Sequence, residues 1–255
     1  MLATRVMPCL LLRNRGLVKT IKFDKPTYVG DPVNTVRIFN EKEVDELIFL
    51  DITATIENKR PQLELLHEIA SECFMPFTYG GGVKTLEDMA AIFKLGAEKI
   101  AINREAFDRP ALIEHAAARF GSQAVVASID VKKRRFRGGY TVHVNGGRKD
   151  TGLEPVAYAK RMESLGAGEI LLTSIDRDGT MDGYDLELVA QVAGALAIPV
   201  IACGGAGSVD DFRRAKQAGA SAVAAGSMVV YQGKNRAVLV NFPRKQELRA
   251  ALGQM

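Results

Sequence analysis

A handful of positions hold the residue types that could do chemistry. Asp130 closes the apolar run Ala124-Val-Val-Ala-Ser-Ile, and Asp51 closes Glu46-Leu-Ile-Phe-Leu. Asp176 and Asp178 follow Glu169-Ile-Leu-Leu-Thr-Ser-Ile. Carboxylates at strand ends are candidates for general acid/base work. Each could instead cap the helix that follows, a reading that suits Asp178 beside Gly179. Asp130 caps nothing evident, which favours chemistry there. Gly80-Gly81-Gly82 and Gly204-Gly205 each end a strand-like run and precede a helix-like one. Such glycines either turn the chain or let backbone N–H groups approach an anion closely. Two runs at equivalent places favour a pair of phosphate sites, completed by Asn103-Arg104 and by Gly226-Ser227, with Gly179 in the second half. Two sites on opposite sides imply a bisphosphorylated small ligand, one phosphate at each end. Arg5, Glu46, Lys99 and Glu169 begin strand-like runs, where they form either a solvated rim or a ring of alternating charge. No cysteine sits in a Gly-x-Cys-x-Gly elbow, so the chain has no means of hydrolysing glutamine by that route.

These positions need elements to hold them. Strand candidates are Arg5–Leu12, Glu46–Asp51, Pro76–Tyr79, Lys99–Asn103, Ala124–Asp130, Glu169–Ile175, Pro199–Cys203 and Ala222–Ala225. Helix-like stretches between them include Pro61–Cys73, Thr85–Leu95, Pro110–Phe120, Pro155–Leu165, Asp185–Ala195 and Ser208–Ala218. The alternation predicts βα units and a parallel sheet. An internal repeat decides the architecture. Pro76-Phe-Thr-Tyr-Gly-Gly-Gly aligns with Pro199-Val-Ile-Ala-Cys-Gly-Gly, and at the same spacing Leu95-Gly-Ala aligns with Ala218-Gly-Ala, Asn103 with Gly226 and Glu46 with Glu169. One half-barrel is written twice. Closure gives an α/β fold, a (β/α)8 TIM barrel of two duplicated halves, whose active site belongs on the loops after the strands. Residues 1–255 read as one domain, with a hairpin inserted at about 132–152.

Composition narrows the function. With 47% apolar and 25% charged residues the chain is of ordinary globular composition. A net charge of +4 suits anionic small ligands but not nucleic acid, and the absence of Trp argues against base stacking. The cluster Lys132-Lys133-Arg134-Arg135-Phe136-Arg137 is read as a solvated loop. Three cysteines without a CxxC and three scattered histidines predict no disulfide framework, no metal and no cofactor, in a reducing cytoplasm. No apolar run reaches the ~18 residues that a membrane span needs.

The chain resembles the cyclase (HisF-type) subunit family of imidazole glycerol phosphate synthase. The stretches that carry the resemblance are Cys9-Leu10, Val18-Lys19, Gly30-Asp31-Pro32-Val33, Asp45-Glu46-Leu-Ile-Phe-Leu-Asp51-Ile-Thr-Ala, Gly80-Gly81-Gly82, Phe120-Gly-Ser-Gln-Ala-Val-Val, Gly166-Ala-Gly-Glu169 through Asp176-Arg177-Asp178-Gly179-Thr180, and Gly204-Gly205-Ala206-Gly207. The resemblance implies a lyase/cyclase subunit that pairs with a HisH-type glutaminase in a heterodimer. Ammonia then enters at the barrel's base, travels along its axis and meets a phosphoribulosyl-formimino carboxamide substrate at the top. By the same resemblance Arg5, Glu46, Lys99 and Glu169 are the ammonia gate and Asp130 is a catalytic acid/base. Lys19, Asp51, Gly82, Asn103, Asp176, Asp178, Gly179, Gly205, Gly226 and Ser227 are placed around the substrate.

One departure outweighs the matches. The family's strand-one motif ends Cys-Leu-Asp-Val, its aspartate being the second catalytic acid/base, whereas this chain reads Cys9-Leu10-Leu11-Leu12. The repeat agrees, since setting Val6 against Val125 places Leu11 opposite Asp130. Losing one acid/base group costs about 10²–10⁴ in rate. Arg104, the loop Arg13-Asn-Arg-Gly and the stretch from Gln232 to Pro243 also depart from the pattern. Together these features resemble a paralogous branch tied to acetamidino modification of sugars in surface lipopolysaccharide O-antigen. There the barrel feeds ammonia to a separate sugar amidotransferase. A genuine cyclase of histidine biosynthesis is the alternative. The related sugar-phosphate isomerase of that pathway fits the Ser174-Ile-Asp-Arg-Asp-Gly run less well.

Overall fold

A computed structural model describes residues 4–134, 138–233 and 235–253. Arg135, Phe136 and Arg137 of the basic cluster lie outside the described residues. In chain order the elements are β1 (Arg5–Arg13), β2 (Gly16–Ile21), β3 (Asp24–Gly30), α1 (Pro32–Glu41), β4 (Leu47–Asp51), α2 (Leu63–Glu72), β5 (Phe77–Gly80) and α3 (Leu86–Lys94). They continue with β6 (Lys99–Ile102), α4 (Arg104–Asp108), α5 (Ala111–Phe120), β7 (Val125–Lys133), β8 (Tyr140–Val144), β9 (Lys149–Asp150), α6 (Pro155–Ser164) and β10 (Glu169–Ser174). Last come α7 (Leu186–Ala193), β11 (Val200–Cys203), α8 (Val209–Gln217), β12 (Ala222–Ala225), α9 (Ser227–Val230), β13 (Tyr231–Gln232), β14 (Ala237–Val238) and α10 (Lys245–Leu252).

Eight of these strands close on themselves in parallel register, in the order β1-β4-β5-β6-β7-β10-β11-β12 and back to β1. The ring is a (β/α)8 barrel, as the repeat requires. Barrel strands are buried on both faces, so they read as continuous apolar runs. One face of each packs outward on the helices, where Phe39, Phe49, Phe212 and Ile69 are fully enclosed. The other face fills the barrel's interior with Met7, Cys9, Ile48, Ala101, Val126, Leu171, Ile201, Ala222 and Ala224. This interior is a packed stack of side chains rather than a pore.

The duplication persists at the level of single hydrogen bonds. Thr85 and Ser208 cap α3 and α8 with reciprocal capping boxes, the hydroxyl accepting from the N–H of Asp88 or Asp211. The carboxylates of Asp88 and Asp211 in turn accept from the N–H groups of Lys84 and Thr85, or of Gly207 and Ser208. Each box follows a glycine-rich turn, so it fixes the angle at which that turn leaves its strand.

The first strand of each half overshoots the barrel. β7 continues into an antiparallel hairpin with β8 and β9, within the insertion expected from the sequence. β1 does the same with β2 and β3, which the sequence reading did not anticipate. β1 and β7 lie on opposite sides of the eight-strand ring. Their two hairpins nevertheless meet, because a Cβ added to Gly147 would lie 3.1 Å from the Phe23 ring. The tips therefore span the barrel's mouth.

Candidate functional site

At the carboxyl ends of the strands lies a cavity of about 700 Å³. Lys19, Asp51, Gly82, Asn103, Asp130, Asp178, Gly179, Gly205, Gly226 and Ser227 all line it. Leu11 is on its wall, in the inward stripe of β1 that runs through Met7 and Cys9. Asp176 is not on the wall, and its Oδ2 accepts from the backbone N–H of Lys133 at 2.8 Å. It braces the start of the second hairpin.

Of the four strand-end candidates, the three carboxylates that line the cavity differ in how they are held. Asp51 is fully engaged. Its Oδ1 accepts from Thr53 N, Thr53 Oγ1 and Ala54 N at 2.9–3.0 Å, and its Oδ2 accepts from Gln62 Nε2 at 3.2 Å. That pattern organises the loop after β4. Asp130 is only 9% exposed. Asn103 Nδ2 donates to its Oδ2 at 3.2 Å, and among the described residues its Oδ1 has no partner. Burial, and secondarily the charge of Asp178, push the Asp130 carboxyl up to about 7, while the Asn103 amide pulls the other way. Asp178 accepts from Thr20 Oγ1 at 2.7 Å and from Phe23 N at 3.2 Å, both on Oδ2. Burial raises its pKa too, against the opposing pull of those two donors and of Lys19.

Lys19 comes from β2 of the unanticipated hairpin and is buried, its ammonium donating to the Cys9 carbonyl. Desolvation lowers its pKa, and nearby Cys9, Asp178 and Cys203 counter part of that effect. The amine packs against the turn opposite, where a Cβ on Gly226 would lie 2.6 Å from Nζ. Gly179 is constrained by the first hairpin, a Cβ there lying 2.0 Å from the Thr20 carbonyl oxygen. Loop packing therefore requires glycine at 179, where φ is also positive, whereas at 226 the short contact is with the flexible end of Lys19. The turns stand at two opposed edges of the cavity, where the Gly82 N–H donates to Thr55 Oγ1 at 3.3 Å. One edge is built from Gly82, Asn103 and Arg104, the other from Gly205, Gly226 and Ser227.

At the barrel's other end the four strand-entry charges meet in a closed ring. Arg5 donates to Glu46 at 2.7 Å and to Glu169 at 2.5 Å. Lys99 donates to Glu46 and to Glu169, both at 3.1 Å. Thr78 Oγ1 adds a further hydrogen bond to Glu46 at 3.0 Å. Both glutamates are buried, so neither is turned out into water. Above the ring the axis is lined by methyl, methylene and thiol groups until the cavity floor. Among the described residues no group of three or more His, Cys, Asp or Glu side chains could hold a metal ion, and no helix is long and apolar enough to cross a membrane.

Comparison with known proteins places this geometry. The model of the family described as "Histidine biosynthesis protein" matches residues 5–236. A protein of Pseudomonas aeruginosa named "Putative imidazole glycerol phosphate synthase subunit hisF2" is 53% identical over 252 residues, covering 97% of this chain and 99% of the relative. One from Vibrio vulnificus, "Putative imidazole glycerol phosphate synthase subunit hisF3", is 45% identical over 99% of this chain and 97% of its own length. A third, from Alkaliphilus metalliredigens, carries the name "Imidazole glycerol phosphate synthase subunit HisF" and is 50% identical over 83% of this chain and 84% of its own.

Proposed function

We propose, on the premise that this chain belongs to the histidine biosynthesis protein family as a HisF-type barrel, that it is the synthase subunit of a glutamine amidotransferase complex. A partner glutaminase of the HisH type docks at the base and releases ammonia there. The ammonia passes the ring of Arg5, Glu46, Lys99 and Glu169 and emerges in the mouth cavity. The observation that carries this reading is the layout along one axis: a closed neutral ring of charges, an apolar stretch, then a polar cavity. An apolar stretch admits neutral ammonia and rejects ammonium, because a charge pays a large desolvation penalty there. Lys19, Gly82, Asn103, Gly179, Gly205, Gly226 and Ser227 hold a ligand with a phosphate at each end of the cavity.

The final acceptor of the ammonia follows from Leu11. Cyclisation of the formimino substrate relies on acid/base groups from both half-barrels, and a leucine transfers no protons. Ammonia supply to a separate amidotransferase, for acetamidino modification of a surface-polysaccharide sugar, therefore fits this chain better than cyclisation. The cyclase/lyase reaction is the second reading, favoured by the nearly neutral pKa of Asp130. The two separate in one assay, the turnover of the formimino substrate by the purified chain with ammonium salts at high pH. Turnover is expected to be feeble, and Leu11→Asp to raise it by about 10²-fold or more. Turnover at the level of a competent cyclase without that substitution would rule out the supply role.

A further inference from the structure

We propose that Asp130 and Asp178 form an acid–base pair that enolises a two-phosphate ketose in the mouth cavity without ammonia. Asp178, on the loop after β10, supplies the second carboxylate that Leu11 withholds on β1. The ligand class rests on the reading that the Gly82/Asn103 and Gly205/Gly226 edges take phosphates.

Geometry singles out this pair. Both side chains line the cavity, and each is anchored through one oxygen only: Asp130 by Asn103, Asp178 by Thr20 and Phe23. Among the described residues the Oδ1 of each has no partner, and neither is among the fully enclosed unsatisfied atoms, so both open onto the cavity. Asp51, with both oxygens engaged, and Asp176, turned to Lys133, provide the contrast. Asp130 is almost fully buried and Asp178 partly so, and a bare oxygen facing a cavity is arranged to meet a ligand, because burial without a partner is otherwise unfavourable.

Their surroundings divide the roles. Asp178 has the Lys19 ammonium nearby, which favours its ionised form, whereas Asp130 is desolvated and faces the charge of Asp178. That contrast suits Asp178 to the role of base and Asp130 to that of acid. In the step proposed, the Asp178 carboxylate removes a proton from the carbon next to the ketone. The C–H electron pair becomes the C=C bond, and the carbonyl oxygen takes the proton of the Asp130 carboxyl. The product is an enediol, with Asp178 protonated and Asp130 ionised, and reversal returns a solvent-derived proton to carbon.

The test uses the purified chain, ribulose 1,5-bisphosphate as probe, and heavy water. Loss of the proton signals beside the ketone is followed by NMR, with ³¹P spectra reporting binding. The wild type should exchange faster than buffer, and Asp130→Asn and Asp178→Asn should each slow exchange by about 10²-fold or more with binding retained. Asparagine at 178 still accepts from Thr20 and Phe23 but is not a base, so a merely structural aspartate would tolerate it. Asp178→Asn exchanging at the wild-type rate would overturn the pair, as would probe bound to the wild type with no exchange above buffer. Absence of probe binding would refute the phosphate edges instead. Neither result touches ammonia transfer, which is read separately with the glutaminase and ¹⁵N-labelled glutamine.

Discussion

Asp130 and Leu11 occupy matching places in the two half-barrels, and the difference between them has a thermodynamic side. A buried carboxyl whose folded pKa lies near 7 binds its proton more tightly in the folded chain than in the unfolded one, where the ordinary value is 3.8. Stability from this group is therefore complete below about pH 4 and is lost as pH rises through 7. Asp130→Asn keeps the shape and removes the ionisation. It is expected to be more stable than the wild type at pH 8, by an amount on the order of a few kcal/mol at most, with most of that advantage gone at pH 4.5 and all of it by pH 3. Equal melting shifts at both pH values would contradict the assignment. Asp130 was legible from the sequence because a strand's two-residue period aims every second side chain at the axis. The difference between Asp176 and Asp178 was not, since both sit in an irregular loop without a period. Only the contacts with Lys133 on one side, and with Thr20 and Phe23 on the other, decide which faces the cavity.

Among the elements, the strands and most helices followed from the sequence to within a few residues, because apolar runs and caps announce them. β12 spans Ala222–Ala225 as expected. The pair β2 and β3 escaped notice for a physical reason. Its turn is made by Lys22 and Phe23, both at positive φ, in place of the Asn-Gly or Gly-Gly signal such turns usually carry. α4 and α9 are too short to show a helical period. The matched capping boxes give a prediction at this scale. Thr85→Ala and Ser208→Ala should each cost about 1 kcal/mol in denaturant unfolding, since each hydroxyl accepts the same N–H of its helix, with Ser208 losing in addition its bond to Asp211. A negligible effect in both would show that the boxes leave the fold's stability unchanged.

For the molecule as a whole, the charged ring ties the two halves together at one end. Arg5 bonds to one glutamate from each half, and so does Lys99. Glu46 receives Arg5, Lys99 and Thr78, whereas Glu169 receives the two cations. Removing one member of a buried ionic group leaves its partners uncompensated, at a cost of about 3–5 kcal/mol. Glu46→Ala should fall in that range and exceed Glu169→Ala, as measured by chemical unfolding. In the proposed complex with a glutaminase, either change should let more labelled ammonia escape to solvent than the intact ring does. The repeat made the barrel legible before any coordinates, but left the four charges open between a solvated rim and a ring. It could not show that the ring is closed rather than splayed, which depends on side-chain reach across the axis.

The meeting of Phe23 with Gly147 has a bearing on what this protein can serve. Two arms from opposite walls touch above the floor, like a handrail across a well. A lone metabolite can slip beneath it, but a sugar carried on a lipid or a polymer arrives with its carrier and is stopped at the rail. Under the supply role proposed above, what such a bulky recipient needs comes out to it, and ammonia is small enough to make that trip.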